Sequence, residues 1–215
     1  MSNRNIGLAG TIAGVALAAG GAAFAGFLSQ RRKGGDDDAP LYTRKQPGTD
    51  NAIVGRTVTI RKPRAELYKF WRDFQNLPQF MENVETIREE GGAHVWVIKA
   101  PAGQTVNVKT EVSQDRENEM IAWTSLDDSD IETNGEVSFE DAPGDRGTRV
   151  SLVMFYDAPA GELGRAIAKL FQREPQVQAR HDLKRFKMLM ETGEIATSAH
   201  TKDQTRKAKQ QESGQ

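Results

Sequence analysis

The last amphipathic stretch, PAGELGRAIAKLFQREPQVQARHDLKRFKMLME from Pro159 to Glu191, restricts the fold of this chain more than any other segment. Leu163, Ala166, Ile167, Leu170 and Phe171 fall at i, i+3, i+4, i+7 and i+8, the spacing of one apolar helix face. Pro175 has no amide donor and disfavours helical geometry at Glu174, so a break or kink is expected there. Either a hinge or a fixed bend fits that position. Ala179, Leu183, Phe186 and Met190 form a second stripe, and Gly193 is placed to end it. A helix from Pro175 to Glu191 is about 25 Å long at the standard rise. It needs an apolar surface of that length to lie on.

The middle of the chain supplies one. Candidate strands run over Val84–Glu90, Ala93–Ala100, Gln104–Asp115, Met120–Ser125, Ile131–Glu140 and Thr148–Asp157. Gly91-Gly92 is a strong hairpin signal, and Pro101-Ala102-Gly103, Arg116–Glu119 and Pro143-Gly144-Asp145 mark further turns. Three strands alternate cleanly. Val106, Val108, Thr110 and Val112 oppose Asn107, Lys109 and Glu111. Thr133, Gly135, Val137 and Phe139 oppose Glu132, Asn134, Glu136, Ser138 and Glu140. Val150, Leu152, Met154 and Tyr156 oppose Arg149, Ser151 and Asp157. One apolar and one solvated face predict an antiparallel sheet covered on one side, with the terminal helix as cover. Upstream, IVGRTVTI after Ala52 reads as a further strand. Pro63 suits a first helical turn, with Leu67, Phe70, Trp71 and Phe74 at helical spacing behind it. Asn76-Leu77-Pro78 is expected to end that helix, and Leu77, Phe80, Met81 and Val84 to form a second short one.

The N-terminal region has a different character. Ile6 to Leu28 carries no charge over 23 positions, about 35 Å as a helix, which is enough to cross a bilayer core. Fourteen of the 23 are Ala or Gly, so insertion is weakly favourable compared with a Leu-rich span. Small residues recur four apart, as at Gly10 and Gly14, a spacing that lets two helices approach closely and makes a homo-oligomer through that face an expectation. The basic flank Arg31-Arg32-Lys33 favours a single-pass anchor in the cell membrane with the following domain in the cytoplasm. The competing readings are a signal peptide cleaved at Ala23-Phe24-Ala25, followed by export, and a low-complexity segment with no membrane role. The expected organisation is an anchor over residues 1–29, a Gly-, Pro- and charge-rich linker over 30–51, one domain over 52–194 and a polar disordered tail over 195–215.

Composition removes several kinds of chemistry. Formal charge is −1, which gives no footprint for nucleic acid. There is no Cys, hence no disulfide, thiolate metal site or thiol nucleophile. His94, His181 and His200 are scattered without metal-ligand spacing, so no metal is expected. No Ser/His/Asp set or phosphate loop stands out, and nothing points to a cofactor. Asp182 is the weak candidate for acid/base work. It lies at the edge of the second apolar stripe, where a carboxylate bonded to a neighbouring backbone group is the plainer reading. The orientation of Lys99 depends on strand parity, His181 falls on the opposite face of its helix, and His94 sits at a strand start. Glu111, Glu132, Glu136 and Glu140 read as a solvated sheet face.

Strand, two short helices, six strands and a long C-terminal helix is an order that resembles the helix-grip fold of the SRPBCC superfamily. That α+β superfamily includes START domains, polyketide cyclases and coenzyme Q-binding START-type proteins. YKFWRDFQNLPQFMENVETI (Tyr68–Ile87), HVWVIKAPAG (His94–Gly103), IAWTSL (Ile121–Leu126), GTRVSLVMFYDAPAG (Gly147–Gly161), AKLFQREP (Ala168–Pro175) and DLKRFKMLMETGE (Asp182–Glu194) carry the resemblance to polyketide cyclase/dehydrase-like members. It implies a curved sheet of about seven strands gripping the C-terminal helix, with a cavity between them for an apolar molecule. Residues matching the inward face are Phe70, Trp71, Phe74 and Phe80 before the sheet, and Leu183 and Phe186 on the helix. On the strands they are Val58, Trp96, Ile98, Val108, Trp123, Val137, Phe139, Leu152 and Met154. Ordinary core packing accounts for any one of these taken singly; the three indoles are the better candidates for cavity walls, because a buried N–H needs a partner. The expected function is a membrane-tethered binding or carrier module for a lipid, quinone or polyketide-like molecule. A cyclase or dehydratase, and a scaffold assembling through the small-residue helix, are the alternatives.

Overall fold

The computed structural model describes residues 40–45, 52–100, 103–157 and 175–196. The expected anchor, the Gly10/Gly14 face, the helical stripe at Leu163–Phe171 and most of the tail lie outside the described residues. Among the described residues no helix is long and apolar enough to cross a membrane.

Among the described residues eight strands and two α-helices follow one another: β1 (Pro40–Lys45), β2 (Ala52–Ile60), α1 (Arg64–Arg72), a 3-10 helix (Phe74–Gln79), β3 (Val84–Glu90), β4 (Ala93–Lys99), β5 (Thr105–Arg116), β6 (Met120–Ser125), β7 (Glu132–Asp141), β8 (Thr148–Asp157) and α2 (Pro175–Thr192). They form one antiparallel sheet in the order β1-β2-β8-β7-β6-β5-β4-β3. The chain leaves β2, passes through α1 and the 3-10 helix to the far edge at β3, and meanders back until β8 pairs with β2. Register shifts at Val84/Thr86 and Val112/Gln114 add curvature, as β-bulges do.

The expected seven strands are present with ends shifted by no more than two residues. The eighth, β1, lies inside the stretch expected as linker, where PLYTRK pairs with Ala52–Arg56. Its polar composition hides it, since an edge strand needs only backbone pairing to one neighbour. The turns form for local reasons. Gly91 and Gly92 take φ of 61° and 87°, as the two central residues of a tight hairpin require. Gly193 ends α2 with φ 79° and donates its N–H to the Leu189 carbonyl at 2.9 Å.

The second short helix departs from expectation. It begins at Phe74 and contains Asn76-Leu77-Pro78, which was expected to end the first. Asp73 accepts from the Gln75 N–H at 3.2 Å and caps it. The turns close through the N–H groups of Asn76, Phe80 and Met81, none of which needs the donor that Pro78 lacks.

The sheet is also less one-sided than its pattern suggests. The inward residues Val58, Val108, Val137, Phe139 and Leu152 are buried as expected, against Leu67 and Trp71 of α1 and Ala179, Leu183 and Phe186 of α2. The opposite parity is buried as well in the central strands: Ser151, Val153 and Phe155 of β8, and Asn134, Glu136 and Ser138 of β7. Glu136, read as part of a solvated face, is 6% exposed and is engaged by a partner, whereas Glu132 and Glu140 are exposed. Val153 and Phe155 carry the reason in their own side chains, since they place apolar surface on the face that Glu132 and Glu140 suggested was wet.

Candidate functional site

On α1 two aromatic residues are adjacent, roughly 100° apart around the helix. Trp71 points inward and is fully buried, whereas Phe70 stays half-buried. Trp71 meets Phe186 of α2 edge-on at 5.1 Å, Phe80 at 5.2 Å and Phe139 of β7 at 6.4 Å, and Phe80 lies 4.7 Å from Phe186. This is one lobe of the interior. A second lobe lies toward β4 and β6. Phe74 packs 5.7 Å from Trp96 and 6.2 Å from Trp123, and the two indoles stack at 6.2 Å. Gly135 makes the second lobe possible, because a Cβ there would overlap the Trp123 ring. Each well-oriented aromatic pair contributes about 0.5–1.5 kcal/mol beyond its buried area. Val108, Val137, Phe139, Leu152 and Leu183 fill in around the two lobes, and Ile98 and Met154 pack against them partly buried.

The indoles differ in their polar partners. Trp96 donates its Nε1–H to the Thr110 hydroxyl at 2.8 Å. The Trp71 Nε1–H is buried and meets no acceptor. An unpaired buried donor of this kind costs about 1–3 kcal/mol.

Four ionisable groups approach the interior or its seams. Asp182, 7% exposed, accepts at one oxygen from the Glu82 backbone N–H at 3.3 Å and from Gln178 Nε2 at 3.0 Å. Burial pushes its carboxyl up to about 6, against the pull of those two bonds and of Arg185. Arg185 in turn donates to the Phe80 carbonyl at 3.0 Å. Asp182 therefore fastens α2 to the segment after the 3-10 helix and does not face the aromatic interior. His94, placed at a strand start by the sequence, belongs to the inner face. It is opposite Thr110 in register and meets Phe74 edge-on at 4.5 Å. Burial moves its pKa below the usual imidazole value, with Glu89 opposing and Arg72 reinforcing the shift, so it is mainly uncharged at neutral pH. Its parity was legible, two residues before the inward Trp96. Arg56 was not anticipated. It is 6% exposed among the apolar residues of β2 and holds the Gly55 carbonyl at 2.8 Å; burial, then Arg180, lowers its pKa. Lys99 is exposed and reaches the Glu82 carbonyl at 3.5 Å, and His181 is exposed on α2.

Beside the first lobe lies an open hollow of about 790 Å³, bounded by α1, the β5–β6 turn at Glu117 and Asn118, and Met190 of α2. Phe70 lines it, and its ring also lies 5.8 Å from Phe186 and 6.5 Å from Phe80. One half-buried side chain thus separates the hollow from the aromatic interior. Glu66, Lys69, Asp73 and Asn76 line it with Tyr68 and Arg72, the last two held by Asp115 at 2.7 and 2.6 Å. Burial and that carboxylate push the Tyr68 hydroxyl up to about 12, so it remains a donor. Among the described residues no group of His, Cys, Asp or Glu could hold a metal ion. The arrangement suits an apolar guest entered from one side, with hydrogen-bonding groups at its rim.

Comparison with known proteins places the chain among relatives of one family. The profile of a family described as polyketide cyclase/dehydrase and lipid transport matches residues 60–184. A Deinococcus radiodurans protein of known crystal structure is 38% identical and superposes with a TM-score of 0.53, over 66% of this chain and 98% of that one. A Thermus thermophilus crystal structure is 26% identical with a TM-score of 0.48, over 62% of this chain and 92% of that one. An uncharacterised 17.2 kDa protein of Streptomyces lincolnensis is 26% identical over 140 residues, 64% of this chain and 89% of its own length.

Proposed function

Because the chain belongs to the polyketide cyclase/dehydrase and lipid transport family, we propose that it binds or carries a hydrophobic small molecule between the sheet and α2. What supports this most is the position of Phe70, whose ring lines the hollow and also lies against Phe80 and Phe186 of the aromatic interior. The guest is a lipid, a quinone or a polyketide-like molecule, whose skeleton matches walls of Trp, Phe, Val and Leu. The uncharged stretch Ile6–Leu28 and its basic flank support a tether that keeps the site close to the bilayer in which such a guest dissolves. The tether places the domain on the cytoplasmic side. Native mass spectrometry of the membrane-extracted full chain tests the binding role. An apolar molecule should be retained, and a protein that neither retains nor takes up any apolar molecule sinks the reading.

A second reading, a cyclase or dehydratase of the same class of guest, is favoured by His94. An uncharged imidazole on the inner face is in the right state to take a proton from carbon next to a carbonyl. If the protein turns over such a substrate, His94→Ala should lower kcat at least a hundredfold with little change in KM. Turnover that survives this change removes the imidazole from the chemistry.

A further inference from the structure

Resting on the binding role above, we infer that the Trp71 indole N–H is the polar anchor of the interior, and that the guest presents a single hydrogen-bond acceptor, a carbonyl or ether oxygen, on an otherwise apolar skeleton. Trp71 is fully buried on α1, and its Nε1–H has no acceptor. Its neighbours explain why none is at hand: Phe80, Phe139 and Phe186 surround it with ring faces and edges. The Phe186 plane stands at 87° to the indole, and a contact of the N–H with a ring face recovers only part of a carbonyl's strength. A trapped water is a poor substitute, because a buried water needs two to four polar partners and the rings of Phe80, Phe139 and Phe186 supply none. An oxygen carried on an apolar skeleton has the opposite balance, one acceptor for one donor and carbon against the rings.

The contrast with the second lobe sharpens the assignment. Trp96 occupies the same kind of aromatic setting, and there the protein supplies the acceptor itself, the Thr110 hydroxyl. Among the described residues no such acceptor meets Trp71. The open side is also the correct one. Phe70, next to Trp71 on α1, is the half-buried ring that lines the hollow and lies 5.8 Å from Phe186, which itself packs on Trp71.

Two probes of matched shape test this on the full chain. One is 6-propionyl-2-(dimethylamino)naphthalene, a fluorescent ketone. The other is 6-propyl-2-(dimethylamino)naphthalene, the same skeleton with a methylene in place of the carbonyl. The native protein should bind the ketone about tenfold more tightly than its methylene counterpart, and Trp71→Phe should abolish that preference while changing the affinity for the methylene probe by less than about threefold. Should Trp71→Phe fail to fold, β-(3-benzothienyl)alanine introduced at Trp71 keeps the ring shape and removes only the N–H. Equal affinities for both probes in the native protein, or an equal loss of both in the variant, overturn the anchor and leave the binding role standing. Binding of neither probe overturns both.

Discussion

The two aromatic lobes are built from the same kinds of residue and differ in one respect. Around Trp96 and Trp123 the chain itself supplies room and an acceptor: Gly135 yields space for the Trp123 indole, Thr110 accepts from Trp96, and the rings stack. Around Trp71 the rings are as closely packed, yet a buried donor is left without a partner, beside a hollow that one half-buried ring closes off. The Trp96–Trp123 lobe is complete as structure. The Trp71 lobe is complete only when something else enters. A binding site can thus be recognised by the place where an otherwise well-satisfied core stops satisfying itself.

The largest effect should come from damage to the complete lobe. Gly135→Ala forces the Trp123 ring out of its place, and about 3 kcal/mol of stability should be lost in denaturant unfolding. A loss below 1 kcal/mol would mean that this lobe is looser than its contacts indicate. Next comes Thr110→Val, which turns Trp96 into a second unpaired donor and should cost about 2 kcal/mol. By the same logic Trp96→Phe should destabilise the ligand-free protein by about 1–2 kcal/mol more than Trp71→Phe, because only the first change breaks a bond. Equal losses would erase the distinction between the lobes.

A smaller effect is expected at the seam that holds Phe186 in place. The Asp182 carboxyl titrates at about 6 in the folded protein, above its ordinary value of 3.8. Folding therefore takes up a proton between those values. Stability from this group is full below about pH 4 and is lost as pH rises through about 6, by roughly 3 kcal/mol at neutral pH. Asp182→Asn retains the oxygen that accepts from Glu82 and Gln178, so it should remove that slope and stabilise the protein above pH 7 by about 1 kcal/mol. An unchanged slope in thermal melts from pH 4 to 8 would assign it to other groups. The smallest change is kinetic. Phe70→Ala should raise association and dissociation rates for an apolar probe together, by about tenfold, and leave Kd within about threefold. Stopped-flow rates that do not move would place the entrance elsewhere.

Much of the fold was legible in the sequence. Strict alternation in β5, β7 and β8 defined the inner face, the paired glycines defined a hairpin, and Gly193 defined a helix end. Trp96 and Trp123 were placed inward by the family resemblance, and His94, two residues before Trp96, could have been. What was not legible has physical reasons. PLYTRK carries no burial pattern, because an edge strand is held by backbone bonds that any residue can make. Burial of Glu136 and Phe155 depends on what lies against the second face, which alternation within a strand does not encode. Asp182 was correctly suspected of an interface bond, but its partner, the Glu82 amide, is 100 residues away. The lone donor of Trp71 is the extreme case: an unsatisfied group is defined by what fails to meet it in three dimensions.

The most direct measurement is of the indole N–H groups themselves. With ¹⁵N-labelled tryptophan in the full chain, the three indole resonances are assigned by single Trp→Phe changes and followed as the fluorescent ketone is added. The Trp71 N–H should move downfield and exchange more slowly with solvent, whereas the Trp96 N–H, already bonded to Thr110, should stay within a small fraction of that shift. A Trp71 resonance that stays in place while the ketone binds, or one that moves equally with the methylene probe, would contradict the anchor.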